Sequence, residues 1–348
     1  MSCSCGHAPC SRPWRILVLF TALFHLTLSG PARAWTLPAT GISSCYNDTV
    51  AIPCPQPGEE YYGQDGNYRK GAGLSYHNNG DGTVTDQNTG LMWQQPMETT
   101  YRTLAEAQAY CGSLVLGGHE DWRLSTLAET LTLVDAAKAR PAVDTAAFPN
   151  SVSAPWWTAT PTAFVSGNQW RAMMCVGYSW YAAPEGSLRV RCVRGGTVPA
   201  AAITDNGDGT LTDAANALVW EQSASAAGMT WKQALASCEA RTTAGRTDWR
   251  LPNIRELQSI ADYSRGAPAM DPLFTEPSYG ASYWSGSTYA EDVGYAWYWV
   301  GYSGQTHMKL KTDSSVFVRC VRDLGETPPV NTSPVMLLLQ DGQGEAAR

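Results

Sequence analysis

The sequence predicts an α+β fold built twice, as tandem copies of one small domain with two helices and a short-stranded antiparallel β portion, each stapled by one disulfide. Three observations predict it. The string Asn79-Gly80-Asp81-Gly82-Thr83-Val84-Thr85-Asp86 returns as Asn206-Gly207-Asp208-Gly209-Thr210-Leu211-Thr212-Asp213, an offset of 127 residues. Cysteines repeat with it, Cys111 with Cys238 and Cys192 with Cys320. Within each copy, hairpin signals come first, two amphipathic helical patterns follow, and a Trp/Tyr-rich β half closes the copy.

The offset holds along most of the copy. Trp93 maps to Trp220, Asp121-Trp122-Arg123-Leu124 to Asp248-Trp249-Arg250-Leu251, and Trp157 to Trp284. Arg191-Cys192-Val193-Arg194 maps to Arg319-Cys320-Val321-Arg322 at 128, so the second copy carries one late insertion. A period this long marks duplicated domains rather than a solenoid of small repeats. The expected organisation is a signal peptide (1–34), an N-terminal extension (35–73), copy one (74–195), a linker (196–202), copy two (203–323) and a loose tail (324–348).

Each element has its own reason. Residues 1–34 combine Arg12 and Arg15, an apolar stretch over 16–28, and Ala32-Arg33-Ala34, which fits a small-x-small cleavage site before Trp35. The apolar stretch is short for a membrane span of about 20 residues, and residues 335–339 are far shorter still. Asp-Gly turns beside Thr-Val-Thr and Thr-Leu-Thr predict a hairpin, with a second turn at Asn88-Thr89-Gly90 leading to Leu91-Met92-Trp93. Copy two has Ala214-Ala215-Asn216-Ala217 in place of that second turn, which puts its local hairpin geometry in doubt. Trp231, Ala234, Leu235 and Cys238 stand at i, i+3, i+4 and i+7, one apolar helix face; Leu104, Ala107, Gln108 and Cys111 fill the same places, Gln108 being the weak member. Thr126 with Glu129 and Asn253 with Glu256 predict N-caps for a second helix, with Leu127, Leu131 and Val134, or Ile254, Leu257 and Ala261, as its apolar face. The remainder reads as short strands joined by long loops, closed by the Arg-Cys-Val-Arg strand.

The 348 residues are 44% hydrophobic and 16% charged, enough for a packed core. Without residues 1–34 the chain holds 21 basic and 31 acidic residues, a net charge of −10. Such a chain is a poor match for nucleic acid or an anionic membrane, and no membrane span is expected after signal cleavage. Export implies an oxidising compartment, so disulfides are expected. Cys111 with Cys192 and Cys238 with Cys320 would each tie the first helix to the last strand, worth roughly 4 kcal/mol for a loop of about 80 residues. Cys45 and Cys54 would close a small loop in the extension. Cys175 is left over, either buried or paired with another chain.

Taken together, the Asn-Gly-Asp-Gly-Thr-Val-Thr-Asp string, Thr89-Gly90-Leu91-Met92-Trp93, the Asp-Trp-Arg-Leu-Pro motif (complete in copy two through Pro252) and the final Val-Arg-Cys-Val-Arg resemble the Lcl C-terminal domain family over nearly all of 76–323. Copy one departs from the family pattern at Ser125, where Pro is usual. The resemblance implies C-type-lectin-like domains and an exported bacterial protein, secreted, periplasmic or at the cell surface, of the kind first seen at the end of a collagen-like adhesin. The family's association with sulfated polysaccharides is not carried over, because a net charge of −10 opposes a polyanion unless basic residues cluster locally.

Candidate chemistry is weighed residue by residue. Asn79/Asp81/Thr83 and Asn206/Asp208/Thr210 have the alternating oxygens of a calcium-loop start, but position 12 is Gly90 or Ala217, so a hairpin turn explains them better and no metal or cofactor is expected. His77, His119 and His307 face Thr204, Arg246 and Ser179 in the other copy, and no nucleophile–base pair repeats. The repeated acids Asp86/Asp213, Asp121/Asp248 and Glu129/Glu256 are assigned to turns, ion pairs and caps. The chain is therefore read as a binding protein and not an enzyme. A distant likeness to formylglycine-generating enzymes ranks third, because the repeated cysteines look like staples. Ligand contacts are expected from the aromatic loops, at Trp170, Arg171, Tyr178, Trp180, Tyr181, Tyr289, Tyr295, Trp297, Trp299 and Tyr302, whose Tyr/Trp/Ser/Gly setting resembles a paratope. Trp157 and Trp284 recur in both copies and are assigned to the core. The partner is a carbohydrate or a protein. The alternative is a structural or assembly module of a surface complex.

Overall fold

The computed structural model describes residues 35–325 other than 279. The signal peptide expected over 1–34 and the tail beyond 325 lie outside the described residues. The extension contributes β1 (Cys45–Tyr46), β2 (Ala51–Ile52) and α1 (Asp65–Tyr68). The first repeat runs β3 (Tyr76–Asn78), β4 (Thr83–Asp86), β5 (Met92–Gln94), α2 (Leu104–Gly112), β6 (Arg123–Leu124), α3 (Leu127–Thr132), β7 (Pro155–Pro161), β8 (Gln169–Met173), β9 (Tyr178–Ala182) and β10 (Cys192–Arg194). The second runs β11 (Ile203–Asp205), β12 (Thr210–Asp213), β13 (Leu218–Glu221), α4 (Trp231–Glu239), α5 (Ile254–Ser259), β14 (Ser282–Thr288), β15 (Tyr295–Val300), β16 (Thr306–Leu310) and β17 (Val321–Asp323), with a short 3-10 turn at Thr243–Gly245. Small helices and several antiparallel sheets make a mixed fold that is mostly β.

The opening hairpins form where the turn chemistry placed them. Asp81 Oδ1 accepts from the Thr83 N–H at 3.0 Å and the Thr83 hydroxyl at 2.6 Å, and Asp208 repeats both bonds with Thr210. These oxygens are engaged by the turn's own donors, as a hairpin requires. The second turn keeps its geometry in both repeats: Gly90 has φ +72°, and Ala217, at the same offset, is held at φ +54°. The last strand slots beside the first hairpin, in the order β3-β4-β5-β10-β6 and β11-β12-β13-β17. In the second repeat the fifth strand shrinks to a bridge between Arg250 and Val321.

Both helix pairs follow the apolar spacing. On α4, Trp231, Ala234, Leu235 and Cys238 are buried; on α2, Ala107 and Cys111 are buried and Gln108 is exposed. Thr126 and Asn253 cap α3 and α5 in full capping boxes with Glu129 and Glu256. Those glutamates also take bidentate bonds from Arg123 and Arg250 at 2.6–2.7 Å. The two helices are shorter than their apolar pattern, which continues past their ends: Val134 and Ala261 lie beyond Thr132 and Ser259. Disulfides join Cys111 to Cys192, Cys238 to Cys320 and Cys45 to Cys54, and Cys175 is a half-buried free thiol.

The region expected to be short strands joined by long loops is regular sheet through its aromatic segments. Strands β7-β8-β9 and β14-β15-β16 form two three-stranded antiparallel sheets, with strands of 5–7 residues. Each sheet has one face toward the disulfide-bearing helix, packing Trp157 near Cys111 and Cys192 or Trp284 near Cys238 and Cys320. Its other face meets α3 or α5, packing Trp156 and Trp170, or Trp297 and Trp299. One of these clusters crosses the repeats: Ala136 and Val176 of the first pack with Leu257, Met270 and Trp297 of the second. The extension binds the second repeat, with Tyr68 donating to Glu239 at 2.7 Å, Lys70 paired with Asp323 at 2.5 Å and Lys311 donating to the Asn47 carbonyl at 2.9 Å. Among the described residues no helix is long and apolar enough to cross a membrane.

Candidate functional site

The inner edges of the two three-stranded sheets, β9 and β16, face each other. The Thr306 N–H donates to Ser179 Oγ at 3.1 Å, and the Ser179 N–H donates to Thr306 Oγ1 at 3.2 Å. Ser179 and Thr306 stand 127 apart, so these are equivalent positions meeting themselves. Self-contact of this kind marks a two-fold, isologous interface, here an approximate one within a single chain. The next position repeats it: Trp180 meets its equivalent His307 edge to face, with centroids 5.5 Å apart. The expectation that His307 answers to Ser179 is thereby corrected. The late insertion falls after β16, so Trp180 is the counterpart of His307.

Alternation along the strands decides what lies on this face. Register pairs Arg171 with Trp180 and Tyr298 with His307, so these four share the face turned away from α3 and α5. Tyr178 lies 5.6 Å from the His307 ring and Tyr298 6.0 Å from it. Tyr181, next to Trp180 in the chain, pairs with Trp170 and turns to the α3 side of the sheet, against Trp170 and Phe164. The Arg171 guanidinium lies over Trp157 and donates to the Ala183 carbonyl at 2.6 Å. Lys309 lies over Tyr298, donates to Ser315 Oγ at 2.7 Å and pairs with Asp313 at 3.5 Å. Both cations are thus engaged locally; Asp313 offsets the Lys309 charge, while Arg171, bonded to a neutral carbonyl, leaves the aromatic strip with a positive charge. Burial lowers the His307 imidazole, which favours its uncharged form.

Trp180 is 43% exposed, and among the described tryptophans it is the one in the exposed class. The other expected contacts divide sharply. Trp170, Trp297 and Trp299 are buried at 1%, 2% and 0% exposure, and Tyr289 is buried with its hydroxyl donating to Glu291 at 2.6 Å. Four of the ten expected contacts are thereby corrected to core. The reason is the regular sheet: Trp170 and Trp297 alternate inward against α3 and α5. Their shared offset of 127, the same signal that assigned Trp157 and Trp284 to the core, already marks them as a structural pair. Tyr295 is half-buried on the Trp297 face, and Tyr302 lies in the β15–β16 turn beside Phe164 at 5.7 Å. The strip therefore brings together Arg171, Tyr178 and Trp180 of the expected set, while Tyr181 packs on the α3 side with Trp170 and Phe164. Tyr298, His307 and Lys309 were missed, and the equivalence of His307 with Trp180 was the signal that pointed to them.

The repeated acids hold the frame. Asp86 accepts from the Asn88 N–H at 2.9 Å, Asp213 accepts from Ala202, Ala215 and Asn216, and Asp121 pairs with Arg194 at 2.6 Å. No group of three or more His, Cys, Asp or Glu suited to a metal occurs among the described residues.

Fold and site together define a class: a tandem-repeat, disulfide-stapled α+β protein with an open aromatic platform where the repeats meet. The chain belongs to the Lcl C-terminal domain family, whose sequence model matches residues 82–194 and again 209–322. No curated protein matches the chain.

Proposed function

We propose that the protein is an exported, adhesin-like binding protein that recognises a carbohydrate through one platform shared by its two repeats. The observation that carries this reading is Trp180, an exposed indole on the approximate two-fold axis, flanked by Tyr178, His307 and Tyr298. Rigid aromatic faces bring contact area at low entropy cost and suit the apolar faces of sugar rings. Three disulfides support a secreted, periplasmic or surface location, and the staple from first helix to last strand supports placing each repeat among C-type-lectin-like folds. Binding rather than catalysis is favoured because the repeated acids are tied into turns, caps and ion pairs.

The test is a glycan array followed by titration of residues 35–348. Trp180→Ala should keep the melting temperature and weaken binding by about 2 kcal/mol or more, roughly 30-fold. Trp297→Ala should instead destabilise the fold by about 3–5 kcal/mol. A folded Trp180→Ala variant that binds as well as the parent, or a parent that binds no glycan, would remove this reading.

A further inference from the structure

On the face opposite the aromatic strip, the same approximate axis runs through a pocket of about 500 Å³. Its floor is α3 and α5, through the equivalent pairs Ala128/Arg255, Leu131/Gln258 and Thr132/Ser259. Its roof is the connection between the repeats, residues 198–201 and Ile203, together with Trp35. The walls are mainly apolar, and the Tyr263 hydroxyl, a wall residue, is buried with no hydrogen-bond partner among the described residues.

The chain leaves the described structure beside this pocket. Leu324 N–H donates to the Ala217 carbonyl at 2.8 Å, and the neighbouring Asn216 is a wall residue that accepts from the Trp35 indole at 3.2 Å. Beyond Gly325 the sequence is polar and Pro-rich except at 335–339, Val-Met-Leu-Leu-Leu. Val335 stands ten positions beyond Gly325, a reach of roughly 33 Å when extended.

We propose that residues 335–339 of the same chain dock in this pocket, with Leu side chains against α3, α5 and the connecting segment. An isolated apolar run at the end of a polar segment gains by leaving water, and the pocket offers apolar walls within its reach.

Hydrogen exchange on residues 35–348, read by mass spectrometry, tests this directly. The amides of 335–339 should exchange at least 100-fold more slowly than in a free peptide of residues 330–342. Ala128→Trp, which fills the pocket, should return them to the peptide rate. Leu337→Asp, which leaves the pocket walls unaltered, should remove protection from both 335–339 and 198–203. Peptide-like exchange of 335–339 in the parent chain overturns the proposal. So does protection that survives Ala128→Trp, or a small apolar molecule found in the parent by native mass spectrometry. Should Ala128→Trp fail to fold, the response of 198–203 to Leu337→Asp decides alone.

Discussion

Asp65 shows what a single buried group does in this molecule. It lies on α1 between the extension and the second repeat, accepting from Thr40 Oγ1 at 2.7 Å and Ser287 Oγ at 2.6 Å, while Oδ1 has no partner among the described residues. Burial, with Glu256 adding to it, pushes the carboxyl up to about 6 against the pull of those hydroxyls and Arg250. A carboxyl raised in the folded state favours the protonated native form. Its contribution to stability is full below about pH 4 and is lost as the pH rises through about 6. The loss is on the order of 3 kcal/mol for a shift of about two units. Asp65→Asn keeps an acceptor for both hydroxyls and has no proton to lose. Urea midpoints measured from pH 4 to 8 should therefore decline through pH 4–6 more steeply in the parent than in the variant. Parallel profiles would show that Asp65 does not titrate in this window. Trp180 and Trp297 make the same point about environment: one residue type serves a surface in one strand and a core in another, because alternation turns it outward or inward.

At the scale of elements, the capping boxes on α3 and α5 and the Asx-type hairpin turns recur in both repeats with the same bonds. These are local chemistries that need no tertiary partner. The turn before β13 is the exception, since Ala217 holds the left-handed conformation that Gly90 takes in the first repeat. An L-residue there costs about 1–2 kcal/mol. Ala217→Gly should recover part of this, roughly 0.5–1 kcal/mol once the added freedom of glycine in the unfolded chain is counted. Ala217 is exposed, so the change is free of packing effects and reads directly in a urea midpoint. A variant no more stable than the parent would show that the turn is not strained.

For the whole molecule, the duplication makes one object with an approximate two-fold axis. Ser179 and Thr306 exchange bonds across it, and Arg255 of α5 donates to the carbonyls of Leu131 and Val134 in the first repeat. Position 128 in the first repeat is Ala, so this last contact has no mirror image and breaks the symmetry at the pocket. A core cluster drawn from both repeats ties their stabilities together. Urea unfolding followed by tryptophan fluorescence and by far-UV circular dichroism should give one superimposable transition. Two separated steps would mean that the repeats unfold independently. On the proposed carbohydrate reading, one glycan per chain is expected, because Trp180 comes from one repeat and His307 from the other.

The amino-acid sequence by itself determined the duplication, the disulfide partners, the capping boxes and the hairpin turns. Each is set by residue identity at short range or by a repeated offset, and both are visible along the chain. For the tryptophans, the same offset assigned Trp157 and Trp284 to the core and would have done so for Trp170 and Trp297. Only the tertiary structure decided that the aromatic segments are sheet rather than loop, and which of their rings face water. Sheet pairing depends on partners far along the chain, and a continuous Trp/Tyr run such as Tyr295-Ala296-Trp297-Tyr298-Trp299 carries no polar alternation to show which face is covered. The platform and the pocket were invisible for a related reason. Both lie where one repeat meets the other, and their residues come together only through packing across the axis.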